Sequence, residues 1–287
     1  MTLTGYSDFV EQLKKHGLEA AMTLTAEAGY DAIELLEISP KTDLLQSTED
    51  QERLAALLQR HGLGISCLSV YAVLFDPEHP GVPDRAQIDR LLKKVEFAAR
   101  LGSPYVHHTL YPILGFDGAK PPFESVAETV VTGAVQVAKR AKELGVRILY
   151  EPQGLYSNGL QGFSQIYQAI REQCDAVGVC GDVANSYWVG EEPTAIFERF
   201  AKEIFHVHIK DYRWINGEST AQQDCYTASN GRKFCDAIPG TGSVPIDACL
   251  QILQKAGYRG AISSEFVLNT PAQTKQHLQK LVAPYRF

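Results

Sequence analysis

Along this chain short apolar runs alternate with longer stretches whose apolar positions recur every three or four residues. The short runs predict β-strands over 3–7 (LTGYS), 30–38, 63–71, 104–110, 146–151, 177–182, 204–211 and 260–266. Between them, amphipathic spacing predicts one helix up to about Ala28, then helices over TEDQERLAALLQRHG, around RAQIDRLLKKVEFAARLG, and over 125–145, 160–174, 194–202 and 246–256. A last helix begins at about Pro271. Several of these helices end at a glycine (Gly29, Gly62, Gly102, Gly145, Gly257), as a left-handed C-terminal cap requires. No shift in composition divides the eight βα units, so the pattern predicts one (β/α)8 barrel domain spanning 1–287. A doubly wound open sheet is the rival. The absence of any G-x-G-x-x-G or G-x-x-x-x-G-K-[ST] after a strand counts against it. Residues 212–243, rich in Gly, Ser, Thr, Asn and Gln, are expected to form a long irregular loop.

One predicted strand carries unusual chemistry. In IFHVHIKD (204–211) a period of two puts Phe205, Val207 and Ile209 on one side and His206, His208 and Lys210 on the other. In a barrel the first set faces the helices and the second faces the interior, with Lys210 nearest the C-terminal mouth. The same phase rule turns Glu151 inward at the end of VRILYE, Asp182 inward at the end of VGVCGD, and Glu265 inward in GAISSEF. Four adjacent strands thus deliver Glu151, Asp182, His208 and Glu265 to one rim. Three converging carboxylates are untenable unless protonated or neutralised, and a divalent cation resolves the conflict. The oxygen-rich set makes Mn²⁺ the expected ion, with Mg²⁺, Co²⁺ and Zn²⁺ as alternatives.

Around this set, His107 points inward in phase with Tyr105 and Thr109, while His108 is expected to support the site from behind or to lie in the loop. Lys210 and Arg213 are candidates to hold an acidic or hydroxyl group of a substrate. Glu34, inward on the second strand, is a candidate to orient a substrate hydroxyl or a neighbouring side chain, and His206 to orient the site from one pleat below. Trp188 and Trp214 fall in mouth loops where an indole can stack on a sugar or anchor an interface.

Composition narrows the partners. With 27 Lys and Arg against 34 Asp and Glu, the formal charge is −7, which argues against nucleic acid or an anionic membrane as partner. The six cysteines form no C-x-x-C pair and sit mostly in apolar runs, so all six are expected to be reduced thiols. With neither a signal-peptide pattern at the N-terminus nor a run of 18 apolar residues, the expected location is the cytoplasm. The expected partner is a small-molecule sugar, and a homo-oligomer is compatible with the sequence.

These residues resemble the xylose isomerase-like superfamily, which holds sugar isomerases and epimerases, inosose dehydratases and the endonuclease IV repair enzymes. The resemblance lies in YDAIEL, LYEPQG with Glu151, GDVANSYWVGEEP with Asp182, HVHIKD with His208, PGTGSVPI and SSEF with Glu265. It implies one divalent metal on Glu151, Asp182, His208 and Glu265. It also implies enediolate chemistry in which Glu151 and Glu265 move protons on opposite faces of a keto sugar or sugar phosphate, so an isomerase or epimerase is expected. The alternative is a lyase that dehydrates a keto-inositol or a 3-keto sugar, with His107 as the added acid or base. Asn185 stands where many ketose 3-epimerases have a substrate-contacting histidine, so Asn185 is also a candidate substrate contact. The same asparagine, with no D-x-H after His208, departs from the endonuclease pattern.

Overall fold

The computed structural model of the chain describes residues 1–37, 47–111, 121–154, 156–215 and 225–287. Seven parallel strands follow one another, β1 (Thr2–Gly5), β2 (Ala32–Glu37), β3 (Gly64–Val70), β4 (Tyr105–His108), β5 (Arg147–Tyr150), β6 (Val177–Asp182) and β7 (Ile204–Ile209). Three further strands, β8 (Asp211–Ile215), β9 (Cys225–Thr227) and β10 (Lys233–Ala237), form a separate antiparallel sheet in the order β8-β10-β9. β11 (Ala261–Ser264) then pairs with β7 on one side and β1 on the other, closing a parallel eight-stranded barrel.

The helices among the described residues are α1 (Ser7–His16), α2 (Leu18–Glu27), α3 (Thr48–His61), α4 (Arg85–Leu101), α5 (Phe123–Glu143), α6 (Gly159–Arg171), α7 (Thr194–Phe200), α8 (Ile246–Ala256) and α9 (Pro271–Val282). Their ends follow local chemistry. Ser47 and Asp50 form a reciprocal capping box at the start of α3, which buries Leu54, Leu57 and Leu58 at helical spacing and stops at Gly62 in the left-handed conformation. Asp84 caps α4 by accepting from the Gln87 N–H, and Gly102 ends it. Among the described residues no helix is long and apolar enough to cross a membrane.

Four expectations need correction. The single first helix is two, because Gly17 sits at φ +82°, a conformation that ends α1 and starts α2 at a new angle. The stretch expected to be irregular contributes β8, β9 and β10, with an aromatic cluster of Tyr212, Tyr226 and Phe234 beneath them. Cys225 and Cys235, opposite each other in β9 and β10, are joined in a disulfide, so not all six cysteines are thiols. Cys67, Cys174, Cys180 and Cys249 are free and buried.

The fourth correction is inside the barrel. Pairing between β6 and β7 runs Val179 to Ile204 and then Cys180 to His206, so Phe205 is skipped in a β-bulge. Instead of facing the helices, Phe205 packs into the barrel floor with Tyr105, Leu149, Cys67 and Cys180. Gly178 makes room, since a Cβ there would lie 2.4 Å from the Phe205 ring. Above the bulge the alternation is restored: Val207 and Ile209 join the apolar layer between barrel and helices, and His206 and His208 point inward.

Candidate active site and metal centre

Polar side chains form a storey above this apolar floor. Glu34 is completely buried. Its Oε1 accepts from Ser69 Oγ at 2.5 Å and His208 Nε2 at 3.0 Å, and its Oε2 from His206 Nε2 and Ser263 Oγ, both at 2.7 Å. Burial opposes ionisation of Glu34, but the His208 and His206 imidazoles beside it hold its carboxyl well below the usual range. Glu34 thus meets neighbouring side chains, one of its two expected roles, and anchors His208 above it, while His206 bonds Glu34 from one pleat below. Glu34, His206 and His208 also converge as a ligand set would. The two serine donors and the imidazole N–H groups satisfy that carboxylate without a cation.

At the mouth, His208 Nδ1 lies 2.9 Å from Glu151 Oε1 and 3.4 Å from Glu265 Oε2. One ligand atom from each of Glu151, Asp182, His208 and Glu265 lies within 4.8 Å of the others. Asp182 is prepared for this role by its own backbone: Oδ1 accepts the Ala184 and Asn185 N–H groups at 2.8 and 2.6 Å, which leaves Oδ2 facing the cluster. Burial, opposed by Lys210 and reinforced by Glu265, pushes the Asp182 carboxyl up to about 6. Glu265 Oε2 is buried with no hydrogen bond. A hard divalent cation fits this donor set, because it would take the lone pairs that the protein leaves unpartnered and offset the carboxylate repulsion. With Nε2 held by Glu34, His208 offers Nδ1 as its ligand atom.

The remaining candidates divide by position. Lys210 stays in the site, its Nζ 3.1 Å from Asp182 Oδ2 and 3.0 Å from Glu265 Oε1. It opens with Tyr212, Glu265 and Phe266 onto a cleft of about 520 Å³. His107 is buried beside the cluster, with Nδ1 3.2 Å from Ser69 Oγ and Nε2 3.7 Å from Glu151 Oε2 and otherwise without a hydrogen bond. Burial lowers its pKa against the opposing pull of Glu151. Asn185 is buried and braces Asp182 through its backbone, while its side-chain Nδ2 has no hydrogen-bond partner.

Arg213 leaves the site. It is exposed on β8 and donates to the Thr241 carbonyl, so the expected substrate contact is corrected. The tryptophans are spoken for as well: Trp214 stacks on Tyr187 at 4.3 Å under the Arg232 guanidinium, and Trp188 packs edge-on against Phe234 at 5.3 Å. His108 faces outward, edge-on to Tyr150.

Three contributors escaped the sequence reading. Tyr6 stacks on His208, and Ser69 and Ser263 hold Glu34. Tyr6 follows Thr4 at the inward period of two and could have been found that way, whereas nothing in a serine's spacing separates it from a filler.

Comparison with known proteins agrees with this architecture. A profile of the family described as xylose isomerase-like TIM barrel matches residues 22–283. Inosose dehydratase from Lacticaseibacillus casei is 24% identical over 268 residues, covering 90% of this chain and 85% of that one. Among solved structures, the IOLI protein with a bound zinc atom superposes with a TM-score of 0.73 at 21% identity, covering 100% of this chain and 99% of that one. D-Psicose 3-epimerase from Clostridium cellulolyticum, solved with D-tagatose, gives 0.70 at 15% identity, covering 99% and 97%. The expected isomerase class is corrected by these matches, because the relative aligned over most of both chains is a dehydratase, while the epimerase likeness extends only to the fold. Fold, ligand geometry and profile agree, and the chain belongs to the xylose isomerase-like TIM barrel family.

Proposed function

We propose that the protein is a divalent-metal-dependent lyase that removes water from a polyhydroxylated ring ketone, a keto-inositol or a 3-keto sugar. The observation that carries this reading is the convergence of Glu151, Asp182, His208 and Glu265 at a mouth where His107 presents a bare ring nitrogen. Likeness to an inosose dehydratase supports it. Those four residues would hold the ion, with Mn²⁺ favoured by the oxygen-rich donors. When bound, the ion supplies Lewis acidity that polarises a ketone and acidifies the adjoining C–H.

The chain's own groups supply the rest. His107 Nε2 removes the proton α to the ketone, the C–H electron pair becomes the new C=C bond, and the β C–O bond breaks. The proton held on His107 then passes to the departing hydroxyl, which leaves as water. The Lys210 ammonium, fixed between Asp182 and Glu265, places positive charge where the ketone oxygen gains negative charge. Asn185 Nδ2 is a free donor for a ring hydroxyl. Glu151 and Glu265 serve as ligands here and leave proton transfer to His107.

The test is to incubate Mn²⁺-loaded protein with a panel of keto-inositols and 3-keto sugars and follow unsaturated ketone by its ultraviolet absorbance. Elimination from at least one ring ketone, lost in His107→Phe, is the expected result. Exchange of the α-proton with solvent deuterium and no elimination would overturn the lyase reading.

A further inference from the structure

We propose that Ser69 is a positioning residue that keeps the proton of His107 on Nδ1, so that Nε2 stays bare and turned toward Glu151. The inference rests on the lyase reading only for what the bare nitrogen does, since the tautomer itself follows from the hydrogen-bond chain. Ser69 Oγ lies 2.5 Å from Glu34 Oε1 and 3.2 Å from His107 Nδ1, with Cys67 Sγ a distant third at 3.9 Å. A serine hydroxyl has one hydrogen. An oxygen only 2.5 Å from a carboxylate must point that hydrogen at it, because two lone-pair faces at that separation repel. Ser69 can then only accept from His107, and Nδ1 must be the protonated nitrogen.

Glu34 thereby sets two tautomers at once. Directly, it accepts from His208 Nε2 and leaves Nδ1 for the ligand cluster; through Ser69, it leaves Nε2 of His107 free. The opposite nitrogens of the two rings are presented to one mouth because one imidazole meets the carboxylate itself and the other meets a relay that both donates and accepts.

Histidine-labelled protein loaded with diamagnetic Zn²⁺ reports the tautomer through long-range proton–nitrogen NMR correlations. His107 should show the Nδ1–H form in the wild type and in Ser69→Thr, and a mixture in Ser69→Ala. Zinc affinity should fall no further in Ser69→Ala than in His206→Ala, which also removes one donor to Glu34, while kcat for elimination falls about tenfold with little change in KM. An Nε2–H form in the wild type, which needs no variant to detect, overturns the proposal, as does an unaltered His107 spectrum in folded Ser69→Ala. Full elimination by His107→Phe would instead overturn the catalytic reading and leave the tautomer result standing.

Discussion

Tyr6 lies face to face with His208, ring centroids 4.9 Å apart and planes inclined by 22°. Tyr6, the residue that follows β1, thus fixes the plane of the imidazole. Tyr6→Ala should lower metal affinity by about tenfold through loss of that orientation, and Tyr6→Phe should retain it. Chelator competition on the two variants separates stacking from any role of the hydroxyl; equal losses in both would assign the effect to the hydroxyl.

Strand phase makes a sharper contrast. His208→Ala should abolish tight metal binding, whereas Val207→Ala, fully buried on the helix side, should cost roughly 1–3 kcal/mol of stability and leave metal affinity intact. His206→Ala removes one donor to Glu34 without touching the cluster, so its metal affinity should fall between the two. Titration calorimetry with melting temperatures for all three checks the order.

Removing the ion should destabilise the folded chain. Lys210 offsets only part of the charge of Asp182 and Glu265, and Glu151 faces the unprotonated nitrogens of His208 and His107, which do not neutralise it. EDTA should lower the melting temperature and Mn²⁺ should restore it, with about 2.7 kcal/mol of stabilisation at a hundredfold excess over Kd. Identical melting curves with and without chelator would argue that the cluster holds no ion.

A pH dependence follows from His108. Its Nδ1 donates to the Thr109 carbonyl at 3.0 Å, its Nε2 is buried without a partner, and burial drops its pKa to about 4 from the ordinary 6.5. Between those values the unfolded chain binds a proton that the folded chain refuses. Stability is therefore full above about pH 6.5 and declines as the pH falls toward 4, by an amount on the order of 3 kcal/mol. Urea unfolding at several pH values should show this slope in the wild type and a flatter one in His108→Phe.

The convergence of Glu151, Asp182, His208 and Glu265 was legible because strand alternation is local: the direction of each follows from the phase of its own strand. What alternation omits is depth. Glu34 was read correctly as inward, but whether an inward residue meets substrate or lies a layer below depends on the stagger between strands, which is a property of pairs. Phe205 failed for a related reason, since a bulge is a mismatch between β6 and β7 and leaves no mark on either strand alone. Arg213 was misplaced because the chain leaves the barrel after Ile209 and restarts its alternation in a different sheet.

The floor that Phe205 completes has an electrical consequence. Beneath Glu34 lie aromatic, aliphatic and thiol groups, and the carboxylate itself is fully buried. Its field is therefore neither relaxed by water nor screened by salt on that side, and it acts on His206 and His208 at nearly full strength. Ionic strength should weaken capture of an anionic molecule at the open cleft while leaving the internal proton arrangement of the barrel untouched. The plugged barrel behaves as an insulated base under an exposed electrode.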